Sequence, residues 1–385
     1  MNRFYTWYFR RLSIGASPAD ESLHLLSAEE VRYLRRIELR TQLWAAFWGT
    51  VGVLALYLPQ YWAPAWFPSA AVNLPFFEKS VAVPWVATIY GVVLVFLEIV
   101  ALTLLNLRAV HQIAVVVGYL TSTNRDERTK NLLLLGTEQK DKSVLNYGID
   151  PLQGLSTQRV FLFNALIALK ATVSNQLVRA LLNRFLGRYA GREVLDMAGI
   201  PVFAFWNVLA ARTVLRQARL VILGQTTIDQ ALHRFPQVYA RHVADDPAEI
   251  DLIYDTLQFI AISKRDFHPN HGYLTKRLLD HFGIPPRERH VLRPDYLDRL
   301  KTAPAPLSAL CRFVIALGFL LDGKLSTRER VRIRRLDRAA VLHESPQELN
   351  RWCADFQAGR GVPELMERYL ATAEFRNLGH PSTLA

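Results

Sequence analysis

The segments TQLWAAFWGTVGVLALYLPQYW (Thr41–Trp62) and VAVPWVATIYGVVLVFLEIVALTLLNL (Val81–Leu107) decide how the rest of the chain is read. The first holds no charged residue and the second holds one, Glu98. A helix rises about 1.5 Å per residue, so roughly 20 apolar residues cross the ~30 Å hydrocarbon core of a bilayer. Both segments meet that length, which predicts a two-helix transmembrane hairpin over residues 41–107. The connecting stretch, residues 63–80, is rich in proline and aromatic residues and too short to fold as a domain. Trp62, Trp66, Phe76, Phe77 and Trp85 suit the aromatic belt at a membrane interface.

The flanks set the expected orientation. Residues 1–40 carry seven Arg or Lys, residues 63–80 carry only Lys79, and Arg108, Arg125, Arg128 and Lys130 follow the second segment. Basic flanks stay on the cytoplasmic side, so both termini are expected there, with the inner (cytoplasmic) membrane crossed twice. The apolar share of 51% across 385 residues is too low for a many-pass transporter and high for a chain with no membrane part. The formal net charge of +12 suits anionic lipid headgroups. No nucleic-acid motif accompanies that charge, so membrane lipid and not nucleic acid is the expected partner. Two cysteines, Cys311 and Cys353, make neither a disulfide framework nor a paired-Cys zinc site. Residues 1–26 lack the apolar run of a cleavable signal.

Working outward, residues 1–40 form a basic aromatic region. Phe4, Tyr5, Trp7, Tyr8 and Phe9 lie among Arg3, Arg10 and Arg11, a composition that fits either the headgroup layer or packing on a folded domain. Ser27 and Glu30 have capping-box spacing. The helix they start should run directly into the first crossing, carrying Arg32, Arg35, Arg36 and Arg40. Within the hairpin, Glu98 is the one ionisable residue at membrane depth. Such residues are costly and mark ion or proton sites; the plainer reading is a protonated side chain bonded to Thr50 of the first crossing.

Residues 108–235 read as a helical module. A helix is expected from Arg108, a polar break at Ser122–Asn124, a loop over 137–156 and a long helix over 157–186. Pro201 is expected to start or kink a helix whose residues 198–211 are too short to span, and which reads as buried core in preference to a re-entrant segment. Gly199, Pro201, Asn207, Thr213 and Ala218, together with YLTSTNRDERTKNLLLLG (119–136), resemble the EcsC family of bacterial membrane-associated helical proteins. In this chain Phe203, Phe205 and Trp206 stand where that family has a Gly-rich run. The resemblance implies a helical membrane-associated module and no particular chemistry.

Residues 236–345 contain a repeat. FIAISKRD (259–266) precedes an amphipathic helix, and 56 residues later IALGFLLD (315–322) precedes GKLSTRERVRIRRL. The second copy resembles the TerB-like family of helical domains, named for tellurite resistance, on Asp322, Gly323, Leu325, Ser326 and Glu329. That resemblance implies a divalent-metal role for Asp322 and Glu329. Read from the residues alone, Ser326–Glu329 is a capping box, Gly323 is the turn and Leu325 the hydrophobic staple. Residues 346–385 complete the chain as a helical tail.

Few residue patterns carry chemistry. Asp266, His268 and His271 in DFHPNH are acceptable ligands for a divalent metal; a solvated loop is the plainer reading. No phosphate-binding loop, nucleophile elbow or zinc-protease motif occurs, so no catalytic residue and no organic cofactor is expected. Arg328, Arg330, Arg332, Arg334 and Arg335 form a basic helix for solvent, anionic lipid or an acidic partner. The expected fold class is all-α, a transmembrane hairpin with cytoplasmic helical domains. The expected role is a membrane-anchored scaffold or sensor, in an envelope-stress or tellurite-resistance-type response, engaging a protein partner through the C-terminal domain. The alternatives are an oligomeric transport or pore subunit using Glu98, and a metal-dependent enzyme using Asp266, His268 and His271.

Overall fold

The aromatic N-terminus folds as α1 (Asn2–Arg11) and divides its rings by face. Tyr5 and Phe9 are buried, Phe9 edge-on to His111 at 5.0 Å, while Phe4 and Trp7 are exposed. One side of this helix thus packs on the folded chain, and the other is left exposed. The computed structural model describes residues 2–12, 26–68, 70–73, 80–83, 85–120, 128, 129, 132, 143–150, 153, 192–233, 246–265, 268–342, 344–360 and 362–370. Asp266, the expected break at 122–124, the expected helix over 157–186 and the tail beyond residue 370 lie outside them.

Ser27 and Glu30 form the capping box, each bonding the other's backbone amide, and start α2 (Ala28–Trp62). This helix carries the arginines and the first apolar segment without a break. After a 3-10 turn at Pro64–Trp66, β1 (Ala70–Asn73) pairs antiparallel with β2 (Ser80–Val83), Ala70 opposite Val83. This ribbon occupies part of the connecting stretch, and it corrects the reading of Val81 as the start of the second crossing. Val83 precedes Pro84, and a residue before proline is pushed to extended backbone; the second helix, α3, begins only at Trp85 and runs to Val116. Two helices are therefore long and apolar enough to cross a membrane. Their outward positions, among them Leu43, Phe47, Trp48, Val92, Phe96 and Ile99, are exposed.

The helix α4 (Arg192–Leu232) passes through Pro201 instead of starting there. It lies antiparallel along α2: Glu38 pairs with Arg219 at 3.2 Å, and a Cβ on Gly49 would stand 3.0 Å from the Ala204 backbone. Residues 198–211 are accordingly not buried core. Phe203 and Phe205 are 53% and 60% exposed, and they extend the apolar surface of the hairpin onto a third helix. From Ala211 onward the same helix turns inward, burying Val214, Leu215, Ala218, Val221 and Ile222.

That inner half joins a helical domain built on α5 (Pro247–Lys264) and α8 (Ala305–Leu320), which pack together. α8 is as apolar as a membrane helix but has 16 residues, and from Phe313 to Leu320 every residue is buried. A helix apolar all round is either core or span; here length and burial together make it core. Around the pair stand α6 (Pro269–His281), α7 (Tyr296–Thr302), α9 (Thr327–Arg338), α10 (Pro346–Gln357) and α11 (Pro363–Leu370). The two copies of the repeat fold alike, an apolar helix followed by a capped amphipathic one: α5 then α6, and α8 then α9. The fold class is all-α, with the ribbon as its one departure among the described residues.

Candidate functional site

Glu98 lies nine residues from Leu107, about 13 Å along the helix axis, which is close to mid-depth for a ~30 Å apolar core. Its Oε1 accepts a hydrogen bond from Asn207 Nδ2 at 2.6 Å. The part of the first crossing facing its carboxyl group is Gly52, where a Cβ would stand 3.1 Å from Oε2. Thr50 is half-buried two residues away, and the partner that the structure gives Glu98 is Asn207. Gly49 completes the arrangement, since any side chain there would meet Asn207 Nδ2 at 2.8 Å. Of the two glycines on α2, Gly49 lets α4 approach closely and Gly52 leaves room for the Glu98 carboxyl group of α3, as small residues do between closely packed helices. Three helices converge on one polar pair flanked by exposed rings.

The turn after α8 is organised by a side chain from α5. Lys264 is fully buried, and its Nζ donates to Asp322 Oδ1 at 2.7 Å, Phe319 O at 3.1 Å, Glu329 Oε2 at 3.2 Å and Lys324 O at 3.2 Å. Gly323 holds φ +68°, which turns the chain around that ammonium. Glu329 Oε2 also accepts from the Ser326 amide, and Ser326 Oγ from the Glu329 amide, so the expected capping box is present and shares its carboxylate with Lys264. Asp322 and Glu329 thus converge on a lysine ammonium. A buried cation needs paired charge and full hydrogen bonding, and four oxygens supply both. Cys353 lies beside this cluster; burial pushes its thiol up to about 12, Lys264 pulls it down and the two carboxylates add to the rise.

His268 and His271 are placed by backbone contacts. His268 Nδ1 accepts the Asn270 amide as the N-cap of α6, and its Nε2 lies 3.0 Å from the Gln217 side-chain amide. His271 Nε2 lies 2.9 Å from Gly318 O, and between the two rings Asn270 donates to Leu220 O and Leu321 O. The imidazoles are 5.9 Å apart, centroid to centroid, each with a nitrogen committed to the fold. Among the described residues, no three His, Cys, Asp or Glu side chains form a group that could hold a metal ion. The basic helix α9 keeps Arg328, Arg330, Arg334 and Arg335 exposed, whereas Arg332 turns in over the Phe259 ring and donates to Ser263 Oγ at 2.9 Å.

Two further polar nodes went unread in the sequence. Asp229, near the end of α4, takes Arg128 at 2.9 Å, Arg277 at 2.8 Å and the Tyr273 hydroxyl. Buried Asp255 takes His290 Nε2 at 2.8 Å and Arg299 at 3.0 Å. Asp229 ties Arg128 and α6 to α4, and Asp255 ties His290 and α7 to α5. No family model, no curated protein and no solved structure matches the chain.

Proposed function

We propose that the chain is a membrane-anchored helical scaffold or sensor, its hairpin held in a bacterial inner membrane and its C-terminal domain presented to the cytoplasm. One observation carries this reading: α4 begins beside the lipid-ready hairpin, with Phe203 and Phe205 exposed, and continues unbroken into the buried core of the C-terminal domain. The two-sided charge distribution supports the orientation, because arginines crowd the end of α2 where that domain sits. The EcsC-like and TerB-like resemblances agree with a membrane module joined to an interaction domain. They are the grounds for an envelope-stress or tellurite-type role. The surface for a protein partner is the exposed arginine face of α9.

The test is recovery of a partner by the full chain from crosslinked membranes. A specific protein retained by the parent, and lost when Arg328, Arg330, Arg334 and Arg335 are changed to Glu, supports the reading. A chain released from membranes by alkaline carbonate would end it. A second reading, an ion or proton path in an oligomer of hairpins, is favoured by the Glu98–Asn207 pair at mid-depth. A monomer or dimer in detergent counts against that path, because one hairpin cannot enclose it.

A further inference from the structure

At the arginine-rich end of the hairpin, α2 and α3 enclose a groove of about 260 Å³. Arg36 and Arg40 line it from α2, Arg108 and Gln112 from α3, with Tyr33 at the outer side and Trp44 one turn further into the apolar stretch. The three guanidinium groups are exposed, and none is paired with an acid among the described residues. Arg32, on the same helix but outside the groove, has Glu29, and Arg219 on the other side of α2 has Glu38. Arg36 and Arg40 stand one helical turn apart, a like-charge spacing that disfavours the helix by itself. Folding adds a third cation to them. An arrangement that repels itself in the empty state is stable when an anion sits between the charges.

The place of the groove identifies that anion. Its floor lies where the uncharged run from Thr41 begins, and Trp44 and Leu105 line its apolar end. A ligand with phosphate at one end and hydrocarbon at the other fits both ends at once. We infer that this groove is a headgroup site for an anionic phospholipid, with Arg36, Arg40 and Arg108 on the phosphate, the Gln112 amide and Tyr33 hydroxyl beside it, and the acyl chains along Trp44. Arginine forks match phosphate oxygens in pairs, and basic pockets between membrane helices on the cytoplasmic side take such headgroups. The inference rests on the membrane-anchored reading.

The experiment uses the full chain purified in detergent, with retained lipid measured by native mass spectrometry. Phosphatidylglycerol, phosphatidylcholine and inorganic phosphate are the three probes. Phosphatidylglycerol is expected to bind at least tenfold more tightly than phosphatidylcholine. Arg40→Gln lowers that affinity about fivefold, in line with the worth of one arginine near a charged lipid surface. Arg36→Gln, Arg40→Gln and Arg108→Gln together lower it about 100-fold. The triple change to lysine recovers most of the loss, which separates lost charge from lost fold, and Arg32→Gln matches the parent. Equal binding of the two lipids, or a triple glutamine variant that binds as the parent does, overturns the site. Displacement of phosphatidylglycerol by millimolar inorganic phosphate overturns the lipid as its source. A chain released by alkaline carbonate fails the anchoring reading; a chain kept in the membrane that does not discriminate the lipids fails only this one.

Discussion

Lys264→Met removes an ammonium and keeps most of the side chain's shape, so its effect reports the charge. In the parent, the ammonium is held by two carboxylates and two carbonyls with no access to water. The variant leaves Asp322 and Glu329 facing each other in a buried turn, and breaking one side of a buried pair costs about 3–5 kcal/mol. Glu329 retains the Ser326 amide and Asp322 the Lys324 amide, which favours the lower half of that range. The assay follows from composition. The chain has two cysteines, both buried and both in the C-terminal domain, so thiol labelling of the full chain reports the opening of that domain alone. When labelling follows the equilibrium population of the open form, about 3 kcal/mol speeds it by roughly two orders of magnitude. Adding Asp322→Asn and Glu329→Gln to Lys264→Met should recover much of the loss, since no unpaired charge then remains. A labelling rate within fivefold of the parent for Lys264→Met, or a triple variant worse than the single, would refute the account of this turn.

Three other outcomes follow from the same structure. Gly49→Ala forces a methyl group to within 3.0 Å of the Ala204 backbone, so overpacking should cost about 1–3 kcal/mol and lower the melting temperature in detergent, while Gly91→Ala, facing only a flexible Leu56 side chain, should be near neutral. Asn207→Leu removes the donor to Glu98 and should cost about 0.6 kcal/mol, at most ~1.7; Glu98→Leu that leaves assembly and activity unchanged would close the transport reading. Alkaline pH should destabilise the C-terminal domain. Burial raises the Cys311 and Cys353 thiols to about 12 when folded, against about 8.5 unfolded. The unfolded chain therefore loses these protons first, and their contribution is full below about pH 8.5 and fades as pH rises toward 12. Denaturation midpoints measured from pH 7 to 11 should fall across that range, and Cys311→Ala with Cys353→Ala should flatten the slope.

What could be read from the sequence was local. The capping boxes at Ser27 and Ser326 are visible because donor and acceptor are three residues apart, and the crossings because an uncharged run has few other uses. The box at Ser345 and Glu348 follows the same rule, with Pro346 as a favoured first residue of its helix. Residues 198–211 were misread because length alone decided the matter: a 14-residue apolar stretch cannot span by itself, but it can lie against a hairpin that already does. The ribbon was hidden because Val81 and Val83 continue the apolar run of α3 without a change in composition. Glu98 and Asn207 are 109 residues apart, and only the register of α4 on α2 brings them together. Lys264 is a residue type rarely buried, so its place at the end of an apolar helix reads as a polar stop. Nothing near it in sequence announces that Asp322 and Glu329 await it.

The continuity of α4 has a mechanical meaning. Asn207, tied to the hairpin, and Asp229, tied to Arg277 and Tyr273 of α6, stand 22 residues apart on one rod, about 33 Å. Helices in a bilayer tilt when its thickness changes, and a rod fixed at both ends carries that tilt along its length. The Asp229 end stands ten residues beyond the Glu38–Arg219 pair, so it would move together with the arginine-rich end of α2. On the membrane-anchored reading, a thinner or thicker bilayer would thereby reach α6, and through it α8, without any ligand entering the domain.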